Sequence, residues 1–166
     1  MSRQNLPVIL LSILVVLLLA AYLFKDKVNS FISAQMQAST GIESRMSGEA
    51  LSDSLFNYSK NGKPYTYTLL EFGSTGCAVC KQMEVVLEEI RSCCSKEVNV
   101  VFLNTMFPEN QQLVSHFAIS AIPMQVVLDK NGKEVFRNYG FISAEDLRKQ
   151  MNRQIIKKPS EMPLEF

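Results

Sequence analysis

Two cysteines separated by two residues lie where the sequence changes from a strand-like to a helix-like pattern, and this junction constrains the fold most. The run YTYTLLEF at 65–72 is rich in aromatic, Thr and Leu residues, so it predicts a β-strand. Cys77 and Cys80 follow, and the segment from Cys77 to about Ser95 predicts a helix. Its apolar stripe comprises Met83, Val86, Leu87, Ile90, Cys93 and Cys94. A Cys-x-x-Cys pair in this setting is informative, whereas the short motif alone is not.

The position of the pair at a helix start predicts redox chemistry. A helix N-terminus carries about half a unit of positive charge and free N–H groups, so it stabilises a thiolate. Cys77 is expected to expose its sulfur there, with Cys80 deeper on the same side of the helix. This arrangement suits a reversible disulfide, in which Cys77 attacks a substrate disulfide and Cys80 attacks the resulting mixed disulfide. The alternative interpretation is two core cysteines that happen to be three residues apart.

A zinc site is the competing use of these thiols, because structural zinc takes four Cys or His ligands. Cys93 and Cys94 lie about 24 Å from Cys77 along the predicted helix, too far to share one metal with it. Nor are they expected to bond to each other, since neighbouring Cα atoms are about 3.8 Å apart and disulfides usually need at least about 4.4 Å. Both are interpreted as small core residues.

Composition excludes several other function classes. The chain has 166 residues, of which 17 are basic and 16 acidic, so no basic field favours nucleic-acid binding. His116 is the only histidine, which excludes a multi-histidine metal site within one chain. It is also the only possible partner for cysteine-protease chemistry. Its place beside Leu113 and Phe117 on a predicted helix instead favours a half-exposed structural role.

An uncharged run of 19 residues, LPVILLSILVVLLLAAYLF at 6–24, predicts a transmembrane anchor. As a helix it would be about 28 Å long, close to the hydrocarbon thickness of about 30 Å. Its apolar core is longer than that of a signal peptide, and Ala20-Ala21-Tyr22 is a poor cleavage site. Basic residues do not fix its orientation, because both flanks carry them. A short N-terminal tail at 1–5 favours a C-terminal domain outside the cytoplasm, periplasmic if the source is bacterial.

The remaining chain predicts one folded domain at 49–156, after a juxtamembrane segment and linker at 25–48 and before a loose tail at 157–166. Asn131-Gly132 between two apolar-bearing runs predicts a β-hairpin, and Ser143 predicts the cap of a last helix. The predicted order is helix, strand, helix, strand, helix, strand, strand, helix. This order predicts an α/β fold on a mixed sheet, with parallel first strands and an antiparallel hairpin.

Two stretches resemble the thioredoxin superfamily. LLEFGSTGCAVCKQM resembles its strand, active-site loop and helix start, and FAISAIPMQVVLDKNGKEVFRNYGFISAEDLRKQM resembles its cis-proline loop, hairpin, glycine and last helix. The resemblance runs from about Ser47 to Met151. It implies a thioredoxin-like fold, a central mixed β-sheet flanked by helices, with Cys77 as nucleophile and Cys80 as resolving cysteine.

The resemblance also implies a substrate groove beside the cysteines. Pro123 matches the family proline whose preceding bond is cis, which would bring the backbone of Ile122 beside the active site to pair with an extended substrate segment. Gly140 matches the glycine that lines this groove, with Tyr139 and Phe141 beside it. Gly76, before the first cysteine, is included among the predicted substrate-binding residues.

Glu71 matches the buried acid behind the family's active site. A lone Glu inside the apolar run YTLLEFG is unusual, and desolvation there would raise its pKa. It is then expected to exchange a proton with Cys80. The alternative is a side chain that reaches solvent at the strand end.

Several residues depart from the family pattern. The aromatic residue before the first cysteine is replaced by Gly76, the intervening Gly-Pro by Ala78-Val79, the helix proline by Val85, and the Thr after the cis-proline by Met124. The family's first edge strand is not evident. Ala78-Val79 adds no positive charge to stabilise a thiolate, which favours a reductant over a strong oxidant.

The sequence therefore predicts a membrane-tethered thiol:disulfide oxidoreductase that acts on protein disulfides, apocytochrome thiols among the possible substrates. It is expected to need no metal or organic cofactor and to draw on a membrane thiol electron donor. One alternative is a thioredoxin-fold carrier of copper on Cys77 and Cys80, or a partner-docking module without redox turnover. Another is a structural single-pass protein with idle thiols.

Overall fold

The computed structural model describes residues 42–157 continuously and, before them, only positions 10–11, 13–16, 23–24, 27–28, 31–32 and 35. Most of the predicted anchor at 6–24 and nearly all of the predicted tail at 157–166 lie outside these residues. Among the described positions, none belongs to a helix long and apolar enough to span a membrane.

Five helices and four strands are described between residues 42 and 157. They are α1 (Ile42–Phe56), α2 (Tyr58–Asn61), β1 (Tyr67–Gly73), α3 (Ala78–Cys94), β2 (Val98–Asn104), α4 (Gln111–His116), β3 (Met124–Asp129), β4 (Glu134–Tyr139) and α5 (Ala144–Lys157), with a 3₁₀ turn at Pro108–Asn110 before α4. The sheet order is β2-β1-β3-β4. β1 pairs with β2 in parallel and with β3 antiparallel, and β3 pairs with β4 antiparallel. The predicted α/β fold on a mixed sheet is confirmed.

The sheet is the middle layer of the domain, and β1 is its central strand. Tyr67 and Leu69 pack with α3 and α5, whereas Leu70 and Phe72 pack with α1 and α4, because successive side chains of a strand point to opposite faces. All seven residues of β1 are buried. This explains why its sequence is a nearly continuous apolar run, in which the single Glu71 stands out.

The first helix differs from the prediction. α1 begins at Ile42, inside the predicted linker, and the helical stretch is interrupted at Asn57. There the backbone forms an isolated bridge with Asn131 of the hairpin turn, which explains the interruption. α2 ends at Asn61, where the amide of Gly62 closes its last turn on the Tyr58 carbonyl.

The hairpin forms where Asn131-Gly132 predicted it. The carboxylate of Asp129 accepts hydrogen bonds from the amides of Asn131 and Lys133, at 2.8 and 3.1 Å, and so holds the turn. Because Met124 pairs with Phe72, the start of β3 lies beside the end of β1 that leads to the cysteines. The hairpin thus carries Pro123 towards the predicted active site.

The C-terminal end of α3 corrects two predictions. The apolar stripe is buried from Met83 to Ile90, but Cys93 is exposed and Cys94 only half-buried. Cys93 is therefore not a core residue, because its sulfur faces Arg148 of α5, 3.8 Å from Nη1, instead of the sheet. The structure also joins Cys93 to Cys94 in a disulfide, although their Cα atoms are 3.8 Å apart. The usual Cα range for disulfides does not cover this consecutive pair.

Candidate active site

Cys77 is the N-cap residue of α3. Its backbone is extended, with φ −88° and ψ 116°, and its sulfur accepts a hydrogen bond from the amide of Cys80 at 3.1 Å. A Ser or Asp oxygen commonly satisfies this otherwise unpaired helix amide. The half-buried Cys77 sulfur therefore lies at the positive end of the helix dipole, as predicted.

Cys77 and Cys80 form a disulfide with a Cα separation of 5.2 Å, inside the usual range. Cys80 is only 2% exposed, whereas Cys77 is half-buried. An approaching thiol can therefore reach Cys77 more easily than Cys80. This difference in access favours Cys77 as the sulfur that exchanges with a partner and Cys80 as the internal, resolving one.

Gly73, the last residue of β1, lies directly under Cys80. A Cβ atom at Gly73 would be 3.2 Å from Cys80 Sγ and 2.9 Å from Cε2 of Phe102. The lack of a side chain allows the helix start and the Phe102 ring to approach the strand this closely. Sequence reasoning missed this contact. Its only signal is a glycine that ends the strand just before the active-site loop.

The cis-proline loop lies at the base of the hairpin. The Ile122–Pro123 bond is cis, and the Pro123 carbonyl accepts a hydrogen bond from the Gly140 amide at 2.9 Å. Gly140 has φ +85°, a left-handed conformation that favours glycine. Because Met124 pairs with Tyr139, the structure brings together four predicted groove residues: Ile122, Pro123, Tyr139 and Gly140.

The surface around the cysteines has free space at Gly76 and several exposed apolar side chains. Space beyond Gly76 is empty, because a Cβ atom there would meet nothing within 4 Å. Among the described residues, exposed large apolar side chains at the start of α3, on β2 and on the neighbouring loops include Val79, Phe102, Met106, Phe107, Ile122 and Phe141. The predicted role of Gly76 in substrate binding stays a prediction.

Glu71 is fully buried, so the alternative in which it reaches solvent is wrong. Burial raises the pKa of Glu71 to about 7, opposed by a hydrogen bond from Gln125. Oε2 accepts this bond from Gln125 Nε2 at 2.7 Å, whereas Oε1 is buried without a hydrogen-bond partner among the described residues. Glu71 shares a strand face with Gly73, so it lies about 7 Å behind the residue that contacts Cys80.

Two side-chain amides that form a hydrogen-bond chain to Glu71 were not found by sequence reasoning. Gln125 on β3 accepts a hydrogen bond from Asn138 Nδ2 on β4 at 2.7 Å, and the same Nδ2 donates to the Gly140 carbonyl at 3.2 Å. Their signal is a polar residue within each hairpin strand. Only the strand register reveals that both residues share the face of Glu71.

His116 does not join this site. It is half-buried, packs edge-on against Phe117 at 4.7 Å, and lies against Gly48 of α1 on the opposite side of the sheet from Cys80. This agrees with the predicted structural role. In the part of the chain that is described, no cluster of three or more His, Cys, Asp or Glu side chains could hold a metal ion.

A cysteine pair at a strand-to-helix junction, beside a cis-proline hairpin and in front of a buried acid, defines a thiol–disulfide centre of the thioredoxin type. A family model described as a thioredoxin-like domain matches residues 51–155. This match covers more than half of the chain, and the chain belongs to the thioredoxin-like family.

Curated relatives are similar over parts of the chain. The chloroplastic thioredoxin-like protein HCF164 of Oryza sativa subsp. japonica is 32% identical over 74 residues, which cover 45% of this chain and 27% of that protein. The chain thus spans about a quarter of the length of this relative. A thioredoxin of Staphylococcus saprophyticus is 29% identical over 87 residues, 52% of this chain and 81% of the relative.

Solved structures of thioredoxins are also similar. A thioredoxin variant from Halobacterium salinarum is 21% identical with a TM-score of 0.49, covering 55% of this chain and 77% of that one. The thioredoxin of Fasciola hepatica is 20% identical with a TM-score of 0.48, covering 56% of this chain and 85% of that one.

Proposed function

We propose that this chain is a membrane-tethered thiol:disulfide oxidoreductase that reduces protein disulfides through Cys77 and Cys80. The observation that carries the proposal is the asymmetry of the pair. Cys77 caps a helix and is half-buried, while its partner Cys80 is 2% exposed and lies in front of the buried Glu71.

The reaction begins with the reduced pair. The Cys77 thiolate attacks one sulfur of a substrate disulfide; a Cys77–substrate S–S bond forms, the substrate S–S bond breaks, and the other substrate sulfur leaves as a thiolate that takes a proton. Cys80 then loses its proton and attacks the Cys77 sulfur. The Cys77–Cys80 bond forms, the mixed disulfide breaks, and the second substrate thiol is released. Two electrons and two protons have moved from the pair to the substrate.

Glu71 is the proposed acceptor of the Cys80 proton. Its pKa of about 7 lets the carboxyl group both take and return a proton near neutral pH. The bare Oε1 provides a site for that proton. Glu71 lies on the same strand face as Gly73, the residue under Cys80, at a strand spacing of about 7 Å.

The proposed substrate is an extended protein segment that carries the disulfide. Ile122 is 37% exposed next to the cis-proline, which supports strand-like pairing of an extended segment at this position. Gly140 keeps the opposite side of the groove free of a side chain. The exposed apolar residues around the cysteines favour apolar flanks on the substrate.

The membrane part of the proposal rests on the uncharged run at 6–24. Its length matches a bilayer, and the proposed position of the domain is outside the cytoplasm, periplasmic if the source is bacterial. A reductant in such a compartment needs a membrane thiol donor to reduce the Cys77–Cys80 disulfide after each cycle. The direction, reductant rather than strong oxidant, is supported by the uncharged Ala78-Val79 between the cysteines.

The activity is tested with the full chain in detergent micelles. We expect it to accelerate insulin reduction by dithiothreitol, and Cys80→Ser to accumulate a mixed disulfide that Cys77→Ser does not form. No acceleration together with no trapped mixed disulfide would refute the proposal. The reduction potential of the Cys77–Cys80 couple then sorts reductant from oxidant, because each ~30 mV changes the equilibrium about tenfold.

The tether is tested separately by flotation with lipid vesicles. The full chain is expected to float with the vesicles even in high salt, whereas a chain that lacks residues 1–41 stays in the soluble fraction. Recovery of both proteins in the soluble fraction would contradict the membrane tether without affecting the redox assay.

A further inference from the structure

A chain of three side chains crosses the sheet behind the cysteines. Glu71 pairs with Gln125 across β1 and β3, and Gln125 pairs with Asn138 across β3 and β4, so all three face the same side of the sheet. Asn138 Nδ2 donates to Gln125 Oε1 at 2.7 Å, and Gln125 Nε2 donates to Glu71 Oε2 at 2.7 Å. The chain ends at the Gly140 carbonyl, 3.2 Å from Asn138 Nδ2.

The orientation of both amides follows from that backbone carbonyl. A carbonyl only accepts hydrogen bonds, so the NH₂ group of Asn138 must face Gly140. The second hydrogen of this NH₂ group points to Gln125, which must therefore present its oxygen. Consequently the NH₂ group of Gln125 faces Glu71. Turning either amide would place two donors or two acceptors against each other.

This orientation gives the two oxygens of Glu71 different roles. Oε2 receives an N–H donor, which stabilises the carboxylate, and Oε1 remains bare. The neutral acid therefore carries its proton on Oε1. At the other end of the chain, the Gly140 amide bonds to Pro123, so the orientation originates in the groove loops.

No charged side chain among the described residues sets the proton affinity of Glu71. Its pKa has two causes, burial, which raises it, and the Gln125 hydrogen bond, which lowers it. β2 carries no ionisable side chain, and Asp129 lies at the far end of β3. The other ionisable groups on the packed elements include Cys80, Lys81 and Glu84 on α3, Glu134 and Arg137 on β4, and Glu145, Asp146, Arg148 and Lys149 on α5.

Each of these groups has another partner or is exposed to solvent. Cys80 is in the disulfide, and Arg137 bonds to Glu134 and to the Phe117 carbonyl, on the α4 side of the sheet. Arg148 bonds to Glu89, and the remaining charged side chains of α3 and α5 named above are exposed. The hydrogen-bond chain of Gln125 and Asn138 is thus the polar contact through which the pKa of Glu71 can be changed.

We propose that Gln125 and Asn138 are positioning residues for Glu71: they fix a donor on one carboxyl oxygen, leave the other for the Cys80 proton, and tie this arrangement to the Gly140 loop of the groove. The inference rests on the proposed function for its catalytic meaning. Its structural content, that Asn138 acts on Glu71 through Gln125, can be tested without turnover.

The test is a double-mutant cycle on the full chain in micelles. Gln125→Met removes the donor to Glu71 at nearly constant volume, and the pH at which Glu71 is half-ionised is expected to rise by about one unit. Asn138→Leu frees Gln125 to turn and is expected to cause a smaller rise. In the Gln125→Met background, Asn138→Leu is expected to add nothing, because its effect passes through the missing amide.

The titration of Glu71 is measured by carboxyl ¹³C NMR and assigned by the signal that disappears in Glu71→Gln. Asn99→Leu is the matched control, since it makes the same change in a strand amide that bonds to Tyr58 instead. If Asn138→Leu prevents folding, Asn138→Ala replaces it, because it removes the donors without adding a charge and is also expected to raise the midpoint. An unchanged Glu71 titration, or an equal Asn138 effect in both backgrounds, would overturn the inference.

A kinetic readout connects the amide chain to the proposed chemistry. The reduced protein is mixed with an aromatic disulfide that releases a coloured thiolate at each step, so the second phase reports the attack by Cys80. The rate of this phase at pH 7 is expected to fall several-fold in Gln125→Met, and its pH profile to shift upward. Failure of the wild type to reduce insulin refutes the proposed function, whereas a normal wild type with an unshifted Gln125→Met profile refutes the positioning role.

Discussion

Glu71 places a carboxylic acid where water does not reach, and its ionisation therefore affects folding as well as chemistry. Burial raises its pKa from the ordinary value of 4.5 to about 7, so between these values the folded chain holds a proton that the unfolded chain has lost. Stability is thus greatest below pH 4.5 with respect to this group and declines as the pH rises to about 7.

The raised pKa of Glu71 predicts how the stability of the protein changes with pH. The Glu71 contribution to the free energy of unfolding is expected to fall by about 3 kcal/mol between pH 4.5 and pH 8. Glu71→Gln keeps an acceptor for Gln125 and cannot ionise, so its stability should decline less over this range by that amount. Urea unfolding at both pH values measures the difference. Glu88→Gln, an exposed change of the same kind, is the control, and parallel declines in wild type and Glu71→Gln would contradict the prediction.

The second residue-scale prediction concerns the close approach at Gly73. Gly73→Ala places a methyl group 2.9 Å from the Phe102 ring and 3.2 Å from Cys80 Sγ, and is expected to cost about 1–3 kcal/mol. Phe102→Leu removes the nearer contact, so the double variant should lose less than the two single variants together. Urea unfolding of the four proteins measures this coupling. If the losses in free energy of unfolding are strictly additive, the methyl group of Gly73→Ala does not clash with the Phe102 ring.

Sequence could predict the reactive residues but not their polar support. Cys77, Cys80, Glu71 and Pro123 each stand out locally, as a motif, a lone charge in an apolar run, or a proline before a strand. Gln125 and Asn138 do not, because their hydrogen-bond chain to Glu71 depends on the register of β1 with a hairpin that is distant from it in the sequence. The approach at Gly73 depends likewise on how α3 docks on the sheet.

At the scale of elements, α3 carries a disulfide at each end. Its apolar stripe predicted correctly which face is buried from Met83 to Ile90. The stripe could not predict how far the covering elements extend, and at the last turn Arg148 of α5 lies 3.8 Å from the exposed Cys93 sulfur. The apolar stripe of α3 is therefore exposed at its C-terminal end, at Cys93.

The bond between Cys93 and Cys94 is tested by counting thiols. We expect no free thiol in the air-oxidised, denatured chain and four after reduction. The Cys77→Ser/Cys80→Ser double variant should contain no free thiol before reduction and two after it. Mass spectrometry after alkylation measures both numbers. Two free thiols in the unreduced double variant would show that Cys93 and Cys94 are not bonded.

The last helix offers a prediction about capping. Ser143 Oγ accepts a hydrogen bond from the Asp146 amide at 3.1 Å and donates to its carboxylate at 2.7 Å, which confirms the predicted cap. Ser143→Ala should therefore reduce the free energy of unfolding by about 1 kcal/mol. Ser143→Asn, which keeps an acceptor, should lose much less. Equal losses in the two variants would mean that the cap does not stabilise α5.

At the scale of the whole molecule, the described residues that form the two packed clusters around the sheet all belong to the domain. Their residues run from Leu51 to Met151, in agreement with the family match at 51–155. The fold class was predictable because alternating helix and strand signals with one clear hairpin leave few topologies. The start of α1 was not predictable, because the residues of Ile42–Phe56 show little amphipathic pattern.

Removal of residues 1–41 is therefore expected to leave the domain folded. A chain that begins at Gly41 should retain its free energy of unfolding within about 1 kcal/mol, because a domain with its own core can fold alone. Urea unfolding of this shortened chain and of the full chain in micelles measures the difference. A larger loss would show that the N-terminal residues contribute to the core.

The two disulfides on α3 change how the protein must be quantified. With both closed, complete reduction consumes two equivalents of a dithiol such as dithiothreitol, but only the pair at the helix start lies beside the groove and the buried acid. A preparation standardised by total thiol content would therefore overstate its active reducing equivalents twofold. One equivalent of dithiothreitol would reduce the Cys93–Cys94 disulfide in part of the sample instead of the Cys77–Cys80 disulfide. Turnover per molecule therefore has to be normalised to alkylation at Cys77.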